Sequence, residues 1–279
     1  MAKKAAKVSG DLADLLGDGS AVVGTRALKV QLLVSRLLVA ARAPEEAIPR
    51  VLSEVGTALG WSYAAFWGVD SGGTAIRAVY TWCRPDRDFS GFDRETRAAV
   101  FRRGEGIGGL TWEAGRPFWE SDMIAHGAYP RSAAAKKVGL HSAFAFPIKT
   151  SDAFLGIMEF FAEPVLPADR ALLEAAEGVG YQLGEYLERT RIASAQREGD
   201  VIRTALVEVA LDCIIGSDHR GVITEFNPAA GATFGYRRND VLGKQMVDLI
   251  IPPSYRERHL AGMERYLRTG EANVLGRRI

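Results

Sequence analysis

Few side chains in this chain could bind or transform a ligand. There are four histidines and two cysteines among 279 residues. Asp122, His126 and His141 are metal-ligating types, but their spacing matches no usual ligand motif, so only folding could gather them. Cys83 and Cys213 stand far apart, which excludes a disulfide framework or a four-cysteine zinc site. Cys83 lies in an aromatic, β-branched run, where burial is expected rather than reactivity. Gly104-Glu-Gly-Ile-Gly-Gly109 has the glycines of a phosphate loop without its Gly-Lys-Ser/Thr end, and a tight loop against a sheet accounts for it better. Trp82, Trp112, Phe118, Trp119, Tyr129, Phe144 and Phe146, with Asp122, His126, His141 and Glu159 nearby, could wall an apolar small-molecule pocket with a few orienting groups. The same residues could equally be plain core. His259 has Tyr255, Met263 and Tyr266 at helical spacings, so it reads either as a ligand or as a packed histidine on an amphipathic helix.

The bulk numbers narrow the setting. The length fits two domains, each able to bury a core. A net charge of +1 supplies no field for nucleic acid or anionic lipid, so neither is expected as a partner. The stretch 30–41 contains Gln31, Ser35 and Arg36 and is too short and polar to span a bilayer. Lys3, Lys4 and Lys7 precede no apolar signal core. These features together predict a protein of the cytoplasm.

The elements that must position these residues follow from periodicity. Residues 1–25 show little period and read as a loose arm. Leu28, Leu32, Leu33, Leu37 and Leu38 form a helical stripe, and Ile48, Val51, Leu52, Val55 and Leu59 a second one ended by Gly60. Residues 62–69 and 75–83 are strands around a hairpin turn; 117–121, 141–150 and 154–162 are three more. A helix from about residue 167 buries Leu172, Leu173, Ala176, Val179 and Leu183. Ile192, Ala195, Ile202, Leu206 and Val209 continue it near coiled-coil spacing, so that it is either one connector through Gly199 or two helices bending there. Residues 212–217 and 222–226 are strands, Asn227-Pro228 starts a helix, Ser254 caps another that Gly270 ends, and 274–279 begins a strand. The predicted class is α+β: an antiparallel sheet with packed helices (26–190), a helical connector (191–210) and a second, incomplete α+β domain (211–279).

Both halves resemble known families. GEGIGGLTWEAGRPFWESD (104–122) followed by AAAKKVGLHSAFAFPIKTSDAFLGIMEFFAEP (133–164) resembles a GAF domain. DCIIGSDHRGVITEFNPAAGATFGYRRNDVLGK (212–244) with the helix SYRERHLAGMERYLRTGE resembles a PAS domain. The second resemblance implies three further antiparallel strands after that helix, of which the first has just begun, so the chain is expected to be cut inside a domain.

The pairing implies the sensory region of a bacterial signalling protein, often placed before a histidine kinase of a two-component system. No kinase histidine box or ATP lid is present, so no catalytic residue and no activity are expected of this chain. The GAF resemblance places an unknown small ligand in the irregular middle of the domain, near Trp82, Trp112, Trp119, Asp122, Tyr129, His141, Phe144, Phe146 and Glu159. It lacks both the cyclic-nucleotide signature and a pigment-bearing cysteine near Leu140-His141. The PAS resemblance puts His259 at the axial-ligand position of haem-binding relatives and Arg265 where a propionate partner stands, although similar patterns occur in PAS domains without haem. The cofactor is otherwise unknown, and no metal site is expected. A thiol redox enzyme acting through Cys83 is the rival reading. The expected assembly is a homodimer paired through residues 28–38 and 183–209, driving a downstream output domain.

Overall fold

The computed structural model describes residues 19–270 except Ala128, with the side chains of residues 19–24 and Asp200 also outside the description. The strand expected at 274–279 and most of the N-terminal arm therefore fall outside the described residues. The chain divides into two compact units, Met1–Ile192 and Ala193–Ile279.

The first unit opens with α1 (Gly19–Ala40) and α2 (Pro44–Leu59). The expected arm is corrected over its last residues, because α1 already starts at Gly19. The α1 stripe is corrected too. Its buried line is Ala27, Val30, Val34, Leu37 and Leu38, while Leu28 and Leu32 face solvent. Leucine content did not decide the register; smaller side chains face inward, where the helix packs beside α2. In α2, Pro44 occupies the first turn and Gly60 closes the helix at φ 70°.

The sheet comprises β1 (Tyr63–Val69), β2 (Ile76–Cys83), β3 (Val100–Phe101), β4 (Phe118–Glu120), β5 (Ser142–Lys149) and β6 (Phe154–Ala162), in the order β3-β2-β1-β6-β5-β4, with every pairing antiparallel. Strand alternation divides its side chains into two cores. One face, with Ala64, Phe66, Phe144, Phe146, Met158 and Phe160, packs under α1, α2 and α7 (Arg170–Val209). The opposite face, with Tyr63, Ala65, Trp67, Ala143, Ala145 and Phe161, lies under short helices. The central strands β1, β5 and β6 are covered on both sides, which explains their nearly continuous apolar sequences.

Four of those short helices were not expected. They are α3 (Ser90–Ala98), α4 (Gly106–Ala114), α5 (Met123–His126) and α6 (Ser132–Val138). Such short segments are held helical by what they pack on rather than by propensity. The glycine run 104–109 turns tightly and then enters α4 instead of remaining a loop. Gly109 must be glycine there, since a Cβ would stand 2.1 Å from the Arg102 carbonyl oxygen.

Helix α7 runs unbroken from Arg170 through Gly199 to Val209. Gly180 allows it to approach β5 closely, since a Cβ would meet the Pro147 carbonyl at 2.1 Å.

The second unit holds β7 (Ile215–Ser217), β8 (Ile223–Phe226), α8 (Pro228–Phe234), α9 (Arg238–Val241), α10 (Met246–Leu249) and α11 (Arg256–Thr269). Its buried apolar core is Ile223, Phe226, Ala230 and Val241. Both strands are shorter than expected. Before β7, the Asp212 carbonyl and the Ile214 N–H are engaged by the Asn227 side chain, which also caps α8 through the Ala230 N–H. Ser254 does not cap α11. The helix is entered through a 3-10 turn at Pro253–Tyr255, and Tyr255 takes the cap position.

Candidate functional site

Charge is most deeply buried under the short helices of the first unit. Glu159, on β6, is fully buried. Its cross-strand neighbours on β1 and β5 are Ala65 and Ala145, whose small side chains leave room above the carboxylate. Arg131, immediately before α6, reaches into that room. One of its terminal nitrogens lies 2.7 and 2.6 Å from the two carboxylate oxygens, and the other donates to Thr96 Oγ1 at 3.0 Å. Trp67 Nε1 donates to the same carboxylate at 2.9 Å. The Arg131 Cζ lies 5.0–5.4 Å from the ring centroids of Trp67, Phe92, Phe101 and Phe161. Removing such ions from water costs several kcal/mol each, roughly, so close hydrogen bonds must compensate. Desolvated ring faces each add about 2 kcal/mol of attraction for a cation. The arrangement is thus a cation held in an aromatic box over a buried anion. Next to it, burial pushes the Tyr63 hydroxyl well above its ordinary value, and the phenol donates to Asp93 at 2.9 Å.

A second cluster lies at the edge of the same face. Glu120, the last residue of β4, accepts from Tyr129 Oη at 2.6 Å and from the Asp122 N–H at 2.9 Å, and lies 2.9 Å from His126 Nδ1. Burial works against its charge, but the bonds from Tyr129, the Asp122 backbone and His126 outweigh it and hold the carboxyl below the usual range. Burial and then the facing Glu120 push the Tyr129 hydroxyl up. Asp122 caps α5 and lies 3.1 Å from His141 Nδ1. Its carboxyl also stays below the usual range, because the Ala125 N–H, His141 and the Ile124 N–H outweigh partial desolvation.

The residues expected to wall one pocket divide between the two faces of the sheet. Trp82, Trp119, Phe144 and Phe146 belong to the core beneath α1, α2 and α7, and Trp82 packs on Gly56 of α2. Trp112, Phe118 and Tyr129 belong to the other core, where Glu159 also points. Asp122, His126 and His141 gather at its edge around Glu120. Alternation along β4 sends Phe118 and Trp119 to opposite sides, and Phe144 and Phe146 of β5 share the side of Trp119, so one contiguous aromatic wall cannot form from that set. Arg131, Trp67, Phe92, Phe101, Thr96 and Glu120 were missed. The Phe118-Trp119-Glu120 alternation could have put Glu120 on the face opposite Trp119, but nothing local marks Arg131.

Cys83 is exposed at the end of β2, not buried as expected. Partial desolvation, then the Asp93 and Asp88 carboxylates, push its thiol up and disfavour a nucleophilic thiolate. His259 is half-buried on α11, yet no α11 residue is fully buried and Tyr255 and Tyr266 are exposed. Arg265 Nε is shielded and has no partner among the described residues. A haem needs apolar cover on its faces, and the described residues around His259 do not supply it, so they do not fit that group. The described residues contain no cluster of three or more His, Cys, Asp or Glu able to hold a metal ion.

Comparison with known proteins places both units. The GAF domain family model matches residues 41–188, and the PAS fold model matches residues 203–278. An uncharacterized protein of Azorhizobium caulinodans is 41% identical over 78 residues, which make up 28% of this chain and 11% of that protein. The chain thus matches about a tenth of that relative's length. Among solved structures, the GAF domain from a phosphoenolpyruvate-protein phosphotransferase of Coxiella burnetii superposes with a TM-score of 0.51 at 19% identity, covering 62% of this chain and 98% of that one. The GAF domain of an Acinetobacter phosphoenolpyruvate-protein phosphotransferase gives 0.48 at 9% identity, over 61% and 97%. At these identities the likeness concerns the fold alone. With a family model matching over half its length, the chain belongs to the GAF domain family, and a PAS fold follows its GAF domain.

Proposed function

We propose that this chain is a cytoplasmic sensory module whose GAF unit takes a small ligand and whose paired helices bias a downstream output domain, a histidine kinase of a two-component system being the concrete case. The observation that carries this reading is helix α7. It lies on the GAF sheet through Val179 and Leu183, and continues as one helix to Val209. Beyond the sheet it exposes Ile192, Ile202, Leu206 and Val209, which are 46%, 53%, 64% and 73% accessible. With Ala195 and Gly199 these positions alternate in steps of three and four residues, the spacing of a two-stranded coiled-coil seam. Apolar side chains left in water at about 25 cal/mol per Å² favour a partner, and a second copy supplies a matching seam in register. Leu28, Leu32 and Val39, exposed on α1, offer a second apolar stripe to the same partner. A tilt or rotation of paired helices is a known means of carrying a signal between domains.

No described helix is long and apolar enough to cross a membrane. The raised Cys83 thiol supports the regulatory reading over thiol redox catalysis. The test is sedimentation of the double variant Ile202→Asp/Leu206→Asp. The parent should sediment as a dimer at micromolar concentration and the variant should shift towards monomer with its GAF unit still folded. A parent that stays monomeric at high micromolar concentration would overturn the proposal.

A further inference from the structure

The cage around Arg131 is complete without Arg131. Trp67 comes from β1, Phe101 from β3, Glu159 and Phe161 from β6, and Phe92 and Thr96 from α3. All of these elements lie outside the segment that carries the arginine. They present a buried carboxylate, a hydroxyl acceptor and four ring faces, the functional groups of a receptor for a small organic cation. The guest is a single side chain, delivered from the residue that precedes the seven-residue α6, where Arg131 forms no side-chain cap of that helix. A cleft of about 260 Å³ lies between α3 and α6, with the buried Phe92 and Ala134 among the residues that bound it.

We propose that the aromatic box over Glu159 is a cation-binding site, that Arg131 is its resident intramolecular ligand, and that a small guanidinium or alkylammonium compound takes its place when the Arg131 arm swings out. This rests on the reading of the GAF unit as a ligand sensor and names the ligand class. Exchanging one guanidinium for another conserves the ion pair with Glu159, the bond to Thr96 and the ring contacts. What the free ligand must overcome is mainly the effective concentration of the tethered arginine, in the millimolar range or above for a short link. The site therefore binds weakly in the native chain and more tightly once the competing side chain is removed. Released, Arg131 no longer anchors the start of α6, so occupancy of the cage becomes a change in the cover on the outside of the domain.

The test uses the full chain and methylguanidinium as probe, with methylurea as its neutral counterpart of similar shape. Binding is followed by the NMR signal of the Trp67 indole N–H, which faces Glu159, and by hydrogen exchange across 132–138. The native chain should show a saturable shift and faster exchange in α6 with methylguanidinium, and neither with methylurea. Arg131→Met should bind at least about tenfold more tightly, and Glu159→Gln should lose the response. No saturable shift in the native chain up to tens of millimolar, an equal response to methylurea, or binding by Arg131→Met alone would each overturn the proposal. Should either variant fail to fold, the two native-chain titrations decide. Failure here with an intact dimer leaves the sensory-module reading standing, and loss of the dimer in sedimentation leaves the cage untouched.

Discussion

Glu120 and Glu159 sit on the same face of one sheet under different constraints. Glu159 is sealed beneath Arg131, whereas Glu120 lies at the edge and gathers hydrogen bonds from Tyr129, His126 and a backbone N–H. Its depressed carboxyl makes a prediction at the residue scale. The unfolded chain restores the ordinary value of 4.5, so the stabilisation Glu120 contributes is complete above that pH and is lost as pH falls through the lower folded value. Glu120→Gln keeps an acceptor for Tyr129 but removes the titration. The thermal midpoint of the parent, followed by tryptophan emission, should therefore fall more steeply below pH 4.5 than that of the variant. Parallel acid limbs would show that Glu120 contributes nothing. All five tryptophans lie within residues 41–188, so emission reports this unit. Neither the Glu120 cluster nor the Arg131 cage was legible in advance. The cage draws its members from β1 to β6, and the sequence around Arg131 has no motif that distinguishes it from a surface arginine; the Glu120 cluster lies within residues 120–141, but it closes only where the segment after β4 folds back beside the start of β5.

At the scale of elements, the sequence located the long helices, the principal strands and the short helices of the second unit, but not the four short helices of the first. Segments such as α4, with three glycines in nine residues, have poor intrinsic helicity and form because the sheet beneath them is apolar. The register of α1 was misjudged for a related reason, since its buried line was set by close packing rather than by the largest side chains. Gly199 in α7 gives a direct test. A Cβ there meets nothing within 4 Å, so alanine fits, and helix propensity favours it by about 1 kcal/mol. Gly199→Ala should raise helical circular dichroism and slow hydrogen exchange over the surrounding turns. Unchanged exchange would count against helix at that position in solution.

For the molecule as a whole, the two units differ in how much core they carry. The first packs both faces of a six-stranded sheet, while the described part of the second buries four apolar side chains behind two short strands. Local stability follows the density of such packing. Hydrogen exchange should therefore be slowest in β1, β5 and β6 and markedly faster across β7, β8 and α11. Equal, strong protection in both would mean that further pairing covers the second unit, or that its core is larger than the described residues provide.

From the sequence alone, several things about this protein were determined: a GAF domain followed by a PAS fold, the places of the long helices and principal strands, the turns at Gly60 and Asn227, and a helix continuing past the sheet with apolar residues at coiled-coil spacing. These are encoded by patterns a few residues long, and local sterics and side-chain periodicity act at that range. Only the tertiary structure decided which aromatics share a face, that Glu159 is buried under an arginine 28 positions away, and that Glu120 draws His126 and Tyr129 to the edge of that face. Those juxtapositions depend on strand order and on where the short helices settle. Both come from long-range burial of apolar surface, which leaves no local pattern around the residues it brings together.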